Sequence, residues 1–269
     1  MFTSFYFSTT RKYVIAFGTL FNDIIIKRTD SEGIPTQTIK VPLTYAPKDK
    51  MIARIEADPD LFREPATILP RMSFELTGLS YDSSRHKNTL NVLVKKDVDP
   101  NKLRMQYQSV PYNLNFNLYI YVKNAEDGTK IIEQILPYFK PQWDVSLYIL
   151  PEMNHSIDVP IELKSVSPED KYDGDFKERR VLTWTLSFTA RGQYFGPIKK
   201  KPIIKFPRMD FYFGPDDPSE LVGRYTVEPG LTVDGNPTSD PLESVDANLI
   251  DVDDDFGFIE TSSGMILNE

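Results

Sequence analysis

Cysteine is absent from all 269 residues. That excludes a disulfide framework, a thiolate nucleophile and a thiolate metal ligand, and it suits folding in a reducing cytoplasm. Histidine is nearly absent too. His86 and His155 each stand in a polar stretch with no serine or aspartate in a triad or nucleophile-elbow arrangement, so each reads as a solvated loop residue. Glycines are scattered singly, and none opens a loop ending in Lys-Ser or Lys-Thr, so no phosphate-cradling nucleotide loop is expected. Apolar runs such as Ile24 to Ile26 fall far short of the roughly 20 residues of a membrane span. Residues 1–10 are aromatic and polar without a basic start followed by an apolar stretch, so no signal peptide is expected.

Aromatics and proline are plentiful. Seventeen Phe, 14 Tyr and 21 Pro suit many strands joined by stiff loops better than a helical bundle, and a 40% hydrophobic content can fill a real core. The net charge of -8 is unevenly placed. Residues 214–269 hold 14 acidic groups against the single basic Arg224, while the rest of the chain is net positive. Lys199, Lys200, Lys201, Lys205 and Arg208 cluster just before the acidic part.

The hydrophobic pattern places a helix at about 11–22, capped by Ser8 or Thr9, with Val14, Phe17, Leu20 and Phe21 on one face. A hairpin follows, with strands at 24–27 and 38–43 around a turn at Gly33; Pro42 makes the second strand an edge. Pro47, Met51, Ile52 and Ile55 begin a short helix that Asp58 and Pro59 close. Residues 71–81 alternate as a long strand, with Gly78 shifting the phase as a bulge does. Residues 82–111 show little period beyond 90–94 and read as an extended loop reaching a neighbour. The clearest strand is 113–122, where Leu114, Phe116, Leu118, Ile120 and Val122 alternate with Asn and Tyr. A helix at 129–139, strained by Pro137, precedes strands at 145–150, 157–166 and 179–191, with an acidic connection at 167–176. From 197 onward no periodic run lasts. The expectation is an α+β fold: one mainly antiparallel sheet with two or three helices packed on one face, in residues 1–196, followed by an extended, proline-rich acidic arm over 197–269.

Chemistry is harder to find. Asp251, Asp253, Asp254 and Asp255 could gather a hard cation, yet they lack the glycine and terminal Glu of a calcium loop, so a solvated acidic segment is the simpler reading. No catalytic residue, cofactor site or metal site is expected. The Lys199 to Arg208 cluster could meet phosphates, but beside acidic groups it better fits a complementary protein interface. Tyr119 and Tyr121, on the polar face of their strand, could stack on bases, but they better fit packing under a helix or against another subunit, and an interface is the reading adopted. Arg179 and Arg180 are candidates for an intersubunit ion pair. The candidate interface is therefore Tyr119, Tyr121, Arg179, Arg180, Lys199, Lys200, Lys201, Asp253, Asp254 and Asp255.

Several stretches resemble one family in order and spacing: Arg11-Lys12-Tyr13 leading to Gly18-Thr19-Leu20-Phe21, Ile26-Lys27-Arg28, Val41-Pro42-Leu43-Thr44-Tyr45-Ala46 and Thr67-Ile68-Leu69-Pro70-Arg71. The strongest is Ile132-Glu133-Gln134-Ile135-Leu136-Pro137-Tyr138-Phe139-Lys140-Pro141, followed by Asp173-Gly174-Asp175, Arg179-Arg180 and Trp184. Together they are similar to the tail sheath stabiliser and completion proteins of T-even-like phages with contractile tails. The resemblance extends from the start of the sequence to about residue 197. The resemblance implies a structural virion protein that forms a hexameric ring at the head-proximal end of the tail. There it would contact sheath, tube terminator and neck proteins, end tail growth and join tail to head. Rival readings are another tail ring such as the tube terminator or a baseplate component, a metal-dependent nuclease using the Asp clusters, and a DNA adaptor using Lys199 to Arg208.

Overall fold

The structure, a computed structural model, describes residues 4–29, 35–56, 69–99, 102–170, 181–212, 221–251 and 253–264. The Gly33 turn, the Asp58 and Pro59 stop, the acidic connection beyond Asp170 and the pair Arg179 and Arg180 lie outside these residues. In chain order the elements are α1 (Thr9–Leu20), β1 (Ile25–Thr29), β2 (Pro35–Lys40), β3 (Leu43–Tyr45), α2 (Lys48–Glu56), β4 (Arg71–Tyr81), β5 (Val92–Lys96), β6 (Lys102–Tyr107) and β7 (Val110–Val122). Then come α3 (Ala125–Ile135), β8 (Gln142–Leu150), β9 (His155–Asp170), β10 (Leu182–Tyr194), β11 (Lys199–Pro202), β12 (Arg208–Tyr212), β13 (Leu221–Gly230) and β14 (Gly257–Ser263). The chain divides into two compact units, Met1–Thr89 with Ser109–Phe195, and Leu90–Gln108 with Gly196–Glu269.

The larger unit is built on a six-stranded sheet in the order β3-β4-β7-β10-β9-β8. Every neighbouring pair is antiparallel except β3 with β4. The expected bulge is present, since the β4 to β7 register shifts between Leu76 and Gly78. On one face of β7, Leu114, Phe116, Leu118 and Ile120 are buried, and α1 lies over them. Its Phe17 ring stacks on Phe116 at 4.4 Å and meets Phe188 edge-on at 5.3 Å. α3 covers the same face with Ile131, Ile132 and Ile135 buried. It approaches so closely that a Cβ on Gly128 would stand 2.6 Å from Trp184 Nε1. Glu126 and Asp127 suit its first turn, so it begins earlier than the sequence suggested, and Pro137 falls in a tighter turn, Leu136–Tyr138. β1 and β2 form a separate antiparallel hairpin, tied to α3 by the Arg28 to Asp127 ion pair at 2.7 Å.

Two expectations of fold class are corrected. Strands take 52% and helices 18% of the described residues, distributed over four sheets, so the protein is mostly β rather than one sheet with helices on it. The helices also lie on both faces, because α2 packs opposite α1, over Tyr119 and Tyr121. The physical reason is in β7 itself: its second face carries tyrosines whose rings bury as well as an aliphatic side chain once a helix covers them.

In the smaller unit, strands occur within residues 82–111, which the pattern reads as an extended loop, and within the described part of residues 197–269, which it reads as an extended arm. β5 and β6 form a hairpin that β11 completes as a sheet in the order β11-β6-β5, and β12, β13 and β14 form another antiparallel sheet. These strands escape a search for alternation because burial does not alternate along them; β11 is Lys-Lys-Lys-Pro, all exposed.

Candidate interaction surfaces

The charged residues singled out in the sequence mostly find partners within the chain. Asp97, at the end of β5, is buried, and its side chain is 2% exposed. Arg104 Nε donates to Oδ1 at 2.6 Å, the Val98 backbone N–H donates to the same oxygen at 2.8 Å, and Lys200 Nζ meets Oδ2 at 2.8 Å. Lys200, Arg104 and the Val98 amide hold this carboxyl down to a pKa of about 2 against an ordinary 3.8. Lys199 stands 5.4 Å over the Tyr107 ring, and Lys201 is exposed. Lys205 Nζ donates to the carbonyls of Asn248 at 3.2 Å and Ile250 at 2.9 Å, closing the turn before the Asp run. Lys96 pairs with Asp251 and lies 3.7 Å from Asp253, while Asp254 Oδ2 accepts from the Asp251 backbone N–H. Asp255 is exposed. The basic cluster and the acidic run are thus both partly neutralised at home.

Because the folded pKa of Asp97 is lowered, its contribution to stability is present above about 3.8 and is lost as pH falls through about 2. Asp97→Asn is expected to lower stability at neutral pH and to flatten this part of the acid limb. Denaturant melts at several pH values between 2 and 5 check it, and an unchanged acid limb would sink it.

Tyr119 and Tyr121 do not line a partner surface here. They are buried with Met51 and Ile55 of α2, and Ile52, Leu69 and Val181 pack around them. The Tyr119 hydroxyl donates to Glu75 Oε1 at 2.7 Å, and that of Tyr121 is 3.2 Å from Ser73 Oγ. Burial is the leading cause that raises both phenols to about 12. Their protonated forms therefore favour the fold below pH 10, and this contribution is lost as pH rises through about 12. Tyrosinate absorbance in a pH titration is expected to show at least two late-ionising phenols, and two fewer of them in the double variant Tyr119→Phe/Tyr121→Phe; titration of every tyrosine near pH 10 would contradict it.

Exposed apolar side chains identify surfaces the sequence did not. Tyr148 on β8 and Leu79 and Tyr81 on β4 are about half exposed or more. A groove of about 430 Å³ lies between α1 and β8, lined by Ile15, Leu20, Val145, Leu147 and Tyr148 among others. β8 is the outer strand of the large sheet. Its alternation was legible, but which strand ends up outermost depends on pairings made elsewhere. Among the described residues no group of three His, Cys, Asp or Glu side chains is placed to hold a metal ion.

Comparison with known proteins adds two findings. The model of the T4-like virus Myoviridae tail sheath stabiliser family matches residues 4–257. That span passes residue 197, where the resemblance read from the sequence ends, and includes most of the smaller unit. The tail completion protein gp15 of Enterobacteria phage T4 is 32% identical over 224 residues, covering 79% of this chain and 80% of that protein.

Proposed function

The chain belongs to the tail sheath stabiliser family of T4-like Myoviridae and is a structural protein of the phage tail, and we propose that its copies close a hexameric ring at the head-proximal end of that tail. Association with sheath and neck components follows from a stabilising and completing role. More specifically, the ring sits on the last sheath ring and the tube terminator, offers its other side to the head completion proteins, and acts without catalysis. Its assembly takes place in the host cytoplasm. The observation that carries this reading is the extent of the family match, which runs through both compact units rather than one. A subunit that must meet neighbours in a ring, a sheath below and a neck above needs several surfaces, and two units with open sheet edges provide them.

The mass of the purified chain, and electron micrographs of it with and without sheath protein, test the proposal. Six-fold rings that cap sheath assemblies support it; a monomer that ignores sheath overturns it.

A further inference from the structure

The large sheet has six strands but is five strands wide toward each of its ends. One row of paired residues runs from Tyr45 on β3 through Phe74, Leu118 and Leu186 to Val166 on β9. It stops there, because β8 pairs with β9 only as far as Glu162. Another row runs from Leu79 on β4 through Leu114, Ala190 and Ile161 to Trp143 on β8. It starts on β4, because β3 covers only Met72 to Phe74. β3 therefore projects from one edge at one end of the sheet, and β8 from the opposite edge at the other end. Residues 75–81 of β4 and 163–170 of β9 have no further strand beside them among the described residues.

These outlines are complementary. We infer that the sheet continues from one copy of this chain into the next, with the start of β8 of one copy beside residues 78–81 of its neighbour's β4, and the neighbour's β3 beside residues 166–168 of β9. β8 and the neighbour's β3 then share a single strand position. Following the alternation of direction across the sheet, β8 and β4 run the same way, so their joint is parallel, whereas β3 meets β9 antiparallel. This deepens the ring reading above and rests on it.

The edge chemistry agrees. Edge strands that must stay single commonly carry lysine or proline; neither occurs in β8 or in residues 75–81. The bare part of β9 holds Lys164 and Pro168, so the β8 to β4 half carries most of the joint. Directly paired residues share a face, which places Leu79 and Tyr81 on the α1 side, in the rows of Trp143 and Val145. Two half-exposed apolar side chains thus come to the mouth of the groove between α1 and β8. The contact joins two different edges, so it is heterologous and propagates until it closes on itself. Gln142 lies level with Gly78, so β8 and β4 overlap over four residues; at about 3.3 Å each and a sheet about 10 Å thick they give a section of about 130 Å², far below the about 800 Å² per partner of a stable pair. A single joint is weak, and a closed ring, in which every copy makes two, is the species that persists.

The lack of native cysteine makes the test direct. Ser80 and Asp144 are exposed and occupy the rows next to Leu79 and Trp143, on the face away from α1. Oxidation of the full chain carrying Ser80→Cys and Asp144→Cys, at concentrations where it assembles or together with sheath protein, should give a covalent ladder from dimer to the full ring. Neither single variant should cross-link. Rings of the expected mass that stay uncrosslinked overturn the joint and leave the ring standing. Efficient dimers from a single variant show a two-fold contact and also overturn it, and failure to assemble at all overturns joint and ring together.

Discussion

Phe17→Ala is expected to destabilise the larger unit by about 3–5 kcal/mol and to lower its melting temperature by on the order of 10 °C. The sequence put Phe17 on the apolar face of the first helix, and the fold makes it the centre of an aromatic cluster. It is fully buried, stacked on Phe116, edge-on to Phe188, and 5.1 Å and 5.5 Å from Phe21 and Phe74. Truncation removes the buried ring and leaves a cavity walled by four rigid rings that cannot close in. The pairwise ring contacts, worth about 0.5–1.5 kcal/mol each beyond burial, are lost as well. Thermal unfolding followed by near-ultraviolet circular dichroism reads both the stability and the ordering of the rings. A loss below about 1 kcal/mol would mean that α1 is not held to the sheet as described.

A second large effect is expected in the smaller unit, at a point where no side chain fits. Gly230 and Gly257 face each other across β13 and β14. The peptide carbonyl of Thr238 lies against them: a Cβ would stand 2.3 Å from that oxygen at Gly230 and 2.5 Å at Gly257. The obstacle is backbone, and it is held in place by the Thr238 N–H donating to the Gly230 carbonyl at 3.2 Å. It cannot swing aside as a side-chain end can. Gly230→Ala should cost at least the about 1–3 kcal/mol of ordinary overpacking, and the same change at Gly257 a similar amount. Amide exchange should rise across β13, β14 and the connection between them, while the larger unit's melting is unaltered. Wild-type exchange in both variants would refute the slot.

The parts of the fold legible from sequence are those where one residue in two, or one in three or four, must face a core. β4, β7 and β10 alternate strongly enough to be placed, and the Gly78 bulge is visible because a phase slip interrupts the alternation. α1 and α3 are recognisable by their apolar stripes. β5, β6 and β11 to β14 are not, because burial does not alternate along them and their residues carry no such period. For β11 the pairing is also remote in sequence, with Lys199 opposite Met105 of β6. A strand of this kind is stable only once its partner has arrived.

The candidate interface shows the same division. Charge content was plain: a lysine cluster, an aspartate run and an excess of acid near the end of the chain. That Lys200 would reach Asp97 and Lys96 would reach Asp251 was not, because each ion pair joins residues about a hundred or more positions apart. The two tyrosines were correctly read as facing away from the aliphatic side of β7; that α2 rather than another subunit covers them was settled by the path of the chain through β3.

Composition and periodicity were therefore enough to exclude thiol chemistry, to mark the inner face of each strong strand and helix, and, through ordered stretches of residues, to point to the family. Strand order, the side of the sheet on which each helix lies, and the edges left open arise from contacts between distant segments. The free energy of such contacts depends on the whole set being formed together, and no local stretch of residues encodes it.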